Sequence, residues 1–122
     1  MMDIFRKMDW KTLVHEYNLD GSRLLPWDGM KAPFGGAWCV VRHGTESRRH
    51  SHDEYELFIA IQGHAEVRIG DNYIKMEKGD LVLIPLNTEH SVRNNGNEDF
   101  HFYTIWWDRG SASQFLVSLE DR

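Results

Sequence analysis

Gly44-Thr-Glu-Ser-Arg-Arg-His50-Ser-His52-Asp-Glu-Tyr-Glu56-Leu-Phe-Ile-Ala-Ile-Gln-Gly63 sets two imidazoles and a carboxylate at alternate positions between two glycines. In extended chain, side chains two, four and six apart share a face, so His50, His52 and Glu56 converge if no bulge intervenes. Imidazole with carboxylate suits zinc, iron, manganese, nickel or copper, and neutral histidine and ionised carboxylate coexist at neutral pH. Given this composition, the G-x5-H-x-H-x3-E-x6-G spacing arises by chance on the order of once in several thousand trials. A bare His-x-His pair would carry far less, because two exposed histidines on one strand are common.

The 122 residues fit one domain with one core. Five tryptophans, six phenylalanines and four tyrosines within a 41% hydrophobic chain argue for a folded protein. A net charge of -5 without any Lys/Arg run excludes sequence-independent nucleic-acid binding, which depends on neutralising phosphates. The single cysteine, Cys39, cannot form an internal disulfide, and charged residues interrupt the first ten positions, so no signal-peptide core is expected. No apolar run reaches the length of a membrane span. A reducing cytoplasm is the expected location.

Outward from the first stretch, the chain reads as an N-terminal arm (1–34), a β-barrel (35–110) and a C-terminal tail (111–122). Within the arm, Trp10, Leu13, Val14 and Tyr17 share a face at helical spacing, which predicts a short helix over Asp9 to Tyr17. Turn signals then follow at Asp20-Gly21, Pro26, Asp28-Gly29 and Pro33, and the apolar Leu24, Leu25 and Trp27 predict that the arm packs on the body. From Ala37 the pattern changes to short β-branched and aromatic runs. Strands are expected over Ala37–Arg42, Tyr55–Gln62, Ala65–Ile69, Tyr73–Met76, Leu81–Ile84, His90–Arg93 and Phe100–Trp107, a spacing typical of a sandwich or barrel. Tyr55–Gln62 and Phe100–Trp107 are apolar on both faces, so a second surface must cover the side away from the core. A homodimer is the expected solution.

Three donors from one local segment seldom close a metal site, so a fourth should come from another strand. Gly79-Asp-Leu-Val-Leu-Ile-Pro85-Leu-Asn87-Thr-Glu-His90-Ser-Val-Arg-Asn94 supplies His90. With this second stretch the chain resembles the cupin superfamily, whose motifs run G-x5-H-x-H-x3,4-E-x6-G and G-x5-P-x-G-x2-H-x3-N. Asn87 stands where the family usually has glycine, and asparagine is well suited to the positive φ that such a turn requires. The resemblance implies an all-β, small antiparallel jelly-roll barrel in which His50, His52, Glu56 and His90 hold one divalent metal ion per subunit. Zinc and iron lead manganese, nickel and copper. Fold alone names no reaction, since cupins include oxygenases, isomerases, decarboxylases, lyases and non-catalytic binding proteins.

A narrower likeness rests on Leu25-Pro-Trp27, Ala32-Pro-Phe-Gly-Gly-Ala-Trp-Cys-Val-Val-Arg42, Tyr55-Glu-Leu-Phe-Ile-Ala and Tyr103-Thr-Ile-Trp-Trp-Asp108. These segments are similar to the zinc-binding cupin domains of hydrazine synthetases. There a synthetase-like domain esterifies an N-hydroxylated lysine with an amino acid, and the cupin rearranges the ester to form an N–N bond. That likeness implies a metalloenzyme acting on a small amino-acid-derived or natural-product substrate, with a synthetase-like partner protein. An iron-dependent dioxygenase and a non-catalytic small-ligand-binding module are the alternatives. No helix-turn-helix or basic segment follows Trp107, which counts against a DNA-bound sensor.

Beyond the four donors, Arg42, Gln62, Tyr103 and Trp107 are the candidate substrate-binding residues. Gln62 has the parity of Glu56, Arg42 offers bidentate recognition of a carboxylate, and Tyr103 and Trp107 offer aromatic faces. Phe58 reads as core. His15, His43, His64 and His101 lack spacing partners and read as surface or packing residues.

Overall fold

The computed structural model describes residues 4–120, so the ends of the expected arm and tail at residues 1–3 and 121–122 lie outside it. Among the described residues nine strands form two sheets: β1 (Val14–Glu16), β2 (Leu19–Arg23), β3 (Phe34–Val41), β4 (Tyr55–Gln62), β5 (His64–Ile69), β6 (Asn72–Glu77), β7 (Leu81–Ile84), β8 (His90–Arg93) and β9 (Phe100–Trp107). One sheet runs β1-β2-β3-β9-β4-β7 and the other β6-β5-β8, with antiparallel pairing throughout. This is the jelly-roll barrel that the resemblance to cupins implies, where strand spacing alone left a sandwich or a barrel. No helix among the described residues is long and apolar enough to cross a membrane.

The core lies between the two sheets. Ala37, Cys39 and Val41 of β3, Phe58 and Ala60 of β4, Val67 of β5, Met76 of β6, Ile84 of β7, Val92 of β8 and Phe100 and Phe102 of β9 form one cluster. Strict alternation fills it: residues of even number on β4 and β9 point inward, and their odd-numbered neighbours lie half-buried on the outside. A bulge between Ala60 and Gln62 breaks that alternation at the end of β4. Gly63 follows at φ 81, and a Cβ there would sit 2.8 Å from the Asp99 carbonyl oxygen, so glycine is required on both counts.

The N-terminal arm differs from its expected form. No helix spans 9–17; Val14–Glu16 and Leu19–Arg23 make a hairpin that extends the larger sheet through β3. Its turn residues, Tyr17 and Asn18, have φ of 55° and 58°. Two successive positive φ values give the turn whose twist matches antiparallel strands, and they are incompatible with a helix. At the other end, Arg109–Glu120 forms a helix, α1, which takes up most of the expected C-terminal tail. Asp108 caps it by accepting from the Ser111 amide at 2.7 Å.

Asn94 joins three segments. Fully buried, its Nδ2 donates to the Val41 and Glu98 carbonyls at 2.9 and 2.8 Å, and its Oδ1 accepts from the Gly96 amide at 2.9 Å. The last asparagine of the second motif therefore acts in the fold, just past the end of β8 opposite to His90. Asn94→Ala leaves buried carbonyls unpaired and is predicted to cost about 2–4 kcal/mol, read by urea unfolding. A change below about 0.5 kcal/mol would contradict this role.

Candidate metal centre

His50, His52, Glu56 and His90 come together with their donor atoms all within 4.8 Å of one another. Backbone pairing brings the two motifs into contact: the His50 amide donates to the His90 carbonyl at 3.2 Å, and the His90 amide to the His50 carbonyl at 2.9 Å. Across this bridge the imidazole centroids of His50 and His90 lie 4.5 Å apart, and His52 stands 5.0 Å from His90. Glu56 arrives from β4 itself. Asn87 adopts φ 55°, and its amide donates to the His52 carbonyl at 2.9 Å, tying the turn before His90 to the first histidine segment.

Tautomers follow from the neighbours. His50 Nδ1 lies 3.0 Å from the Arg48 carbonyl and His90 Nδ1 lies 2.9 Å from the Thr88 carbonyl. A carbonyl can only accept, so each neutral ring carries its proton on Nδ1 and offers a bare Nε2. His90 Nε2 is buried, lies 3.3 Å from Glu56 Oε1 and makes no hydrogen bond. His52 Nε2 meets the same oxygen at 2.9 Å. A buried lone pair without a donor is costly unless a cation takes it. These donors therefore suit a divalent ion.

Charge states favour ligation at His50 and Glu56, whereas His90 is held above its usual value by the carboxylate beside it. Burial lowers the His50 pKa, favouring the neutral ring that ligation needs. For Glu56, burial raises the pKa, but the adjacent His90 ring and the hydrogen bonds of Thr104 and His52 outweigh it and hold the carboxyl below its usual range. Burial likewise pushes His90 down, and the neighbouring Glu56 carboxylate with the Thr88 carbonyl reverses this. Cys39 lines the same cavity, but burial drives its thiol up to about 12, so it offers no thiolate.

The donors stand in a cavity of about 460 Å³ walled by Phe58, Phe102, Trp106, Leu19 and Val92, with Tyr17, Arg23 and Arg48 among its polar lining. Of the other expected substrate contacts, none lines it. Gln62 is exposed because the bulge after Ala60 turns it out of register. Arg42 faces solvent at the opposite end of β3, bound to Asp20 at 2.8 Å and Asp99 at 2.9 Å. Tyr103 packs edge-on against Trp38 on the outer sheet face, and Trp107 stacks on Tyr55 and borders a separate cavity of about 320 Å³. Both are odd-numbered on β9, which is the outward parity. Trp106, of the inward parity, reaches the centre's cavity in place of Trp107.

Thr104 went unnoticed in the sequence. It is buried on β9, and its hydroxyl donates to Glu56 Oε2 in a short hydrogen bond. Register explains the meeting: Glu56 pairs with Trp106, which makes Thr104 its diagonal neighbour on the inner face. Only the pairing of β4 with β9 reveals this, and no local signal marks it. With Oε2 held by Thr104, Oε1 is left toward the histidines. Thr104→Val keeps the shape and removes the donor; it is predicted to weaken divalent-metal affinity roughly 10- to 100-fold in competition titrations, with the fold retained. Unchanged affinity would exclude Thr104 from orienting the carboxylate.

Comparison with known proteins agrees with this architecture. The cupin domain family matches residues 37–106. Two solved structures superpose along nearly the whole chain. The plu4264 protein of Photorhabdus luminescens shares 65% identity with a TM-score of 0.87, covering 98% of this chain and 99% of its own. A Cupin 2 conserved barrel domain protein of Salinispora arenicola shares 38% identity with a TM-score of 0.84, covering 97% and 98%. Over 62 residues, half of each chain, there is 27% identity to an uncharacterised protein, MJ1618, of Methanocaldococcus jannaschii. The chain thus spans about half the length of that curated relative. Both histidine motifs, the two-sheet barrel and the matched domain place this chain in the cupin family.

Proposed function

We propose that this cupin binds one divalent metal ion through His50, His52, Glu56 and His90 and uses it on a small molecule held in the adjoining cavity. The convergence of three imidazoles and one ionised carboxylate on a single point, with two bare Nε2 atoms fixed by backbone carbonyls, carries the proposal. A bound divalent ion supplies Lewis acidity there, polarising an oxygen of the substrate or of water. The chain's own residues do the rest. Thr104 keeps Glu56 oriented, the Arg48 and Thr88 carbonyls hold the rings of His50 and His90, and Phe58, Phe102 and Trp106 keep the inner wall apolar. Zinc and iron are the leading ions for this donor set. Rearrangement of an amino-acid-derived ester is the specific reaction that the likeness to hydrazine synthetase cupins favours.

Elemental analysis of protein purified without added metal tests the reading. Near-stoichiometric divalent metal is expected in the native chain, with most of it lost in His50→Ala and His90→Ala. Because imidazoles must be neutral to ligate, metal occupancy is predicted to fall together at all three histidines as pH drops below about 6. Metal-free native protein whose thermal stability ignores chelator would defeat the reading.

We further infer that the chain forms a homodimer through the outer face of its larger sheet. Leu81 and Leu83 of β7 are 63% and 57% exposed there, beside the half-buried Leu57, Ile59, Tyr103 and Ile105. The three strands β7, β4 and β9 project on the order of 350 Å², a little under half of the ~800 Å² that one partner contributes to a standard interface. On β7, β4 and β9 this face carries no Asp, Glu, Lys or Arg, so a second copy meets that part without like-charge opposition, although each chain is net negative. Leu81→Glu with Leu83→Glu is predicted to yield monomers in sedimentation equilibrium at concentrations where the native chain is dimeric. A monomeric native chain would rule the dimer out.

A further inference from the structure

Arg48 is the unmatched cation of the cavity. Every other described arginine has an oxygen partner: Arg6 donates to the Leu24 carbonyl, and Arg23, Arg42, Arg49, Arg68, Arg93 and Arg109 each meet a carboxylate. In an acidic chain with 19 Asp and Glu residues, such matching is the ordinary outcome. Arg48, though it lines the cavity, makes no side-chain hydrogen bond or ion pair among the described residues. Its guanidinium instead lies over the ring of Tyr17, 4.9 Å from the centroid.

That placement is fixed by the backbone. The Arg48 amide donates to the Tyr17 carbonyl at 2.7 Å, and Asn18 Nδ2 donates to the Glu46 carbonyl at 2.7 Å, so the hairpin tip is fastened to the segment that leads into His50. Tyr17 holds φ 55°, a conformation unusual for a bulky aromatic residue, and in it the ring spans both Arg48 and His50, whose centroid is 4.9 Å away. Arg48 thus stands exposed at the cavity's lining, next in chain but one to the metal donor His50. The other cation of the lining is Arg23, and Glu16, Glu54 and Glu56 are its acidic members. Arg23 is bound to Glu16 at 2.9 Å, and Glu54 borders both this cavity and the adjoining one.

We propose that Arg48 binds the carboxylate of a small, otherwise apolar ligand whose body lies along Phe58, Phe102 and Trp106. The inference rests on the reading of this cavity as the site where a small molecule meets the metal. A planar, always-charged fork with free donors suits a carboxylate bidentately, and the Tyr17 ring preorganises it. The apolar wall accommodates a hydrocarbon or aryl body of modest size within the ~460 Å³ available.

The test is a chemical-shift titration of zinc-loaded and of metal-free protein with 3-phenylpropionate, hexanoate and the neutral amide 3-phenylpropanamide. Both carboxylates are expected to bind at least about tenfold more tightly than the amide, with shifts at residues 17, 48 and 106. Arg48→Gln is expected to weaken the carboxylates at least about tenfold in both metal states, leave the amide unchanged and keep native metal content and melting temperature. Equal affinity for acid and amide, equal binding by Arg48→Gln and the native chain, or no carboxylate binding at tens of millimolar would overturn the inference. Carboxylate binding that depends on Arg48 but persists when the protein takes up no zinc would uphold Arg48 while removing the metal reading, which separates the two failures.

Discussion

Two backbone hydrogen bonds between His50 and His90 hold the centre together. They join the end of a long loop to the start of β8, and through them two sequence motifs separated by most of the barrel share one point. Their effect extends to the side chains. The backbone around each histidine also supplies the carbonyl, of Arg48 or of Thr88, that holds Nδ1 and turns Nε2 inward. A change in strand register of one residue would reverse every side chain on β8, removing His90 from the centre and Val92 from the core together. Core packing and donor geometry are thus set by the same pairing.

Burying a carboxylate among imidazoles is expensive, and the fold meets that expense locally. Glu56 has His52 and His90 on one oxygen and Thr104 on the other, so neither oxygen enters the apolar interior unpaired. Around it, Phe58 and Phe102 lie 4.7 Å apart and exclude water from one side. The N-terminal hairpin closes another side, since Tyr17 covers His50 while Leu19 joins the core cluster. What composition alone presents as a covering arm is part of the cavity wall. A large energetic penalty for loss of the hairpin follows from this double role more than from its two short strands.

Much of this was legible in the residue order, and the exceptions share a cause. β4, β7, β8 and β9 match the apolar runs end for end, because alternation on a half-buried sheet leaves a direct trace in sequence. His50, His52, Glu56 and His90 were visible because their spacing is local to two short stretches. The hairpin was hidden: Trp10, Leu13, Val14 and Tyr17 imitate a helical stripe, and Tyr17-Asn18 lacks the glycine that usually marks such a turn. Gln62 was misplaced by a bulge that parity cannot foresee, whereas Thr104 and Arg48 gain their meaning from strands paired across the barrel. Tertiary register, which no local pattern encodes, accounts for each.

The central claim is that four named donors hold one divalent ion, and X-ray absorption spectroscopy on the metal of the purified protein tests it most directly. The account predicts nitrogen and oxygen scatterers at about 2.0–2.2 Å for zinc, with outer-shell scattering from three imidazoles and no sulfur. A spectrum fitted by a single imidazole or by a thiolate, or a native protein that takes up no metal, would contradict it.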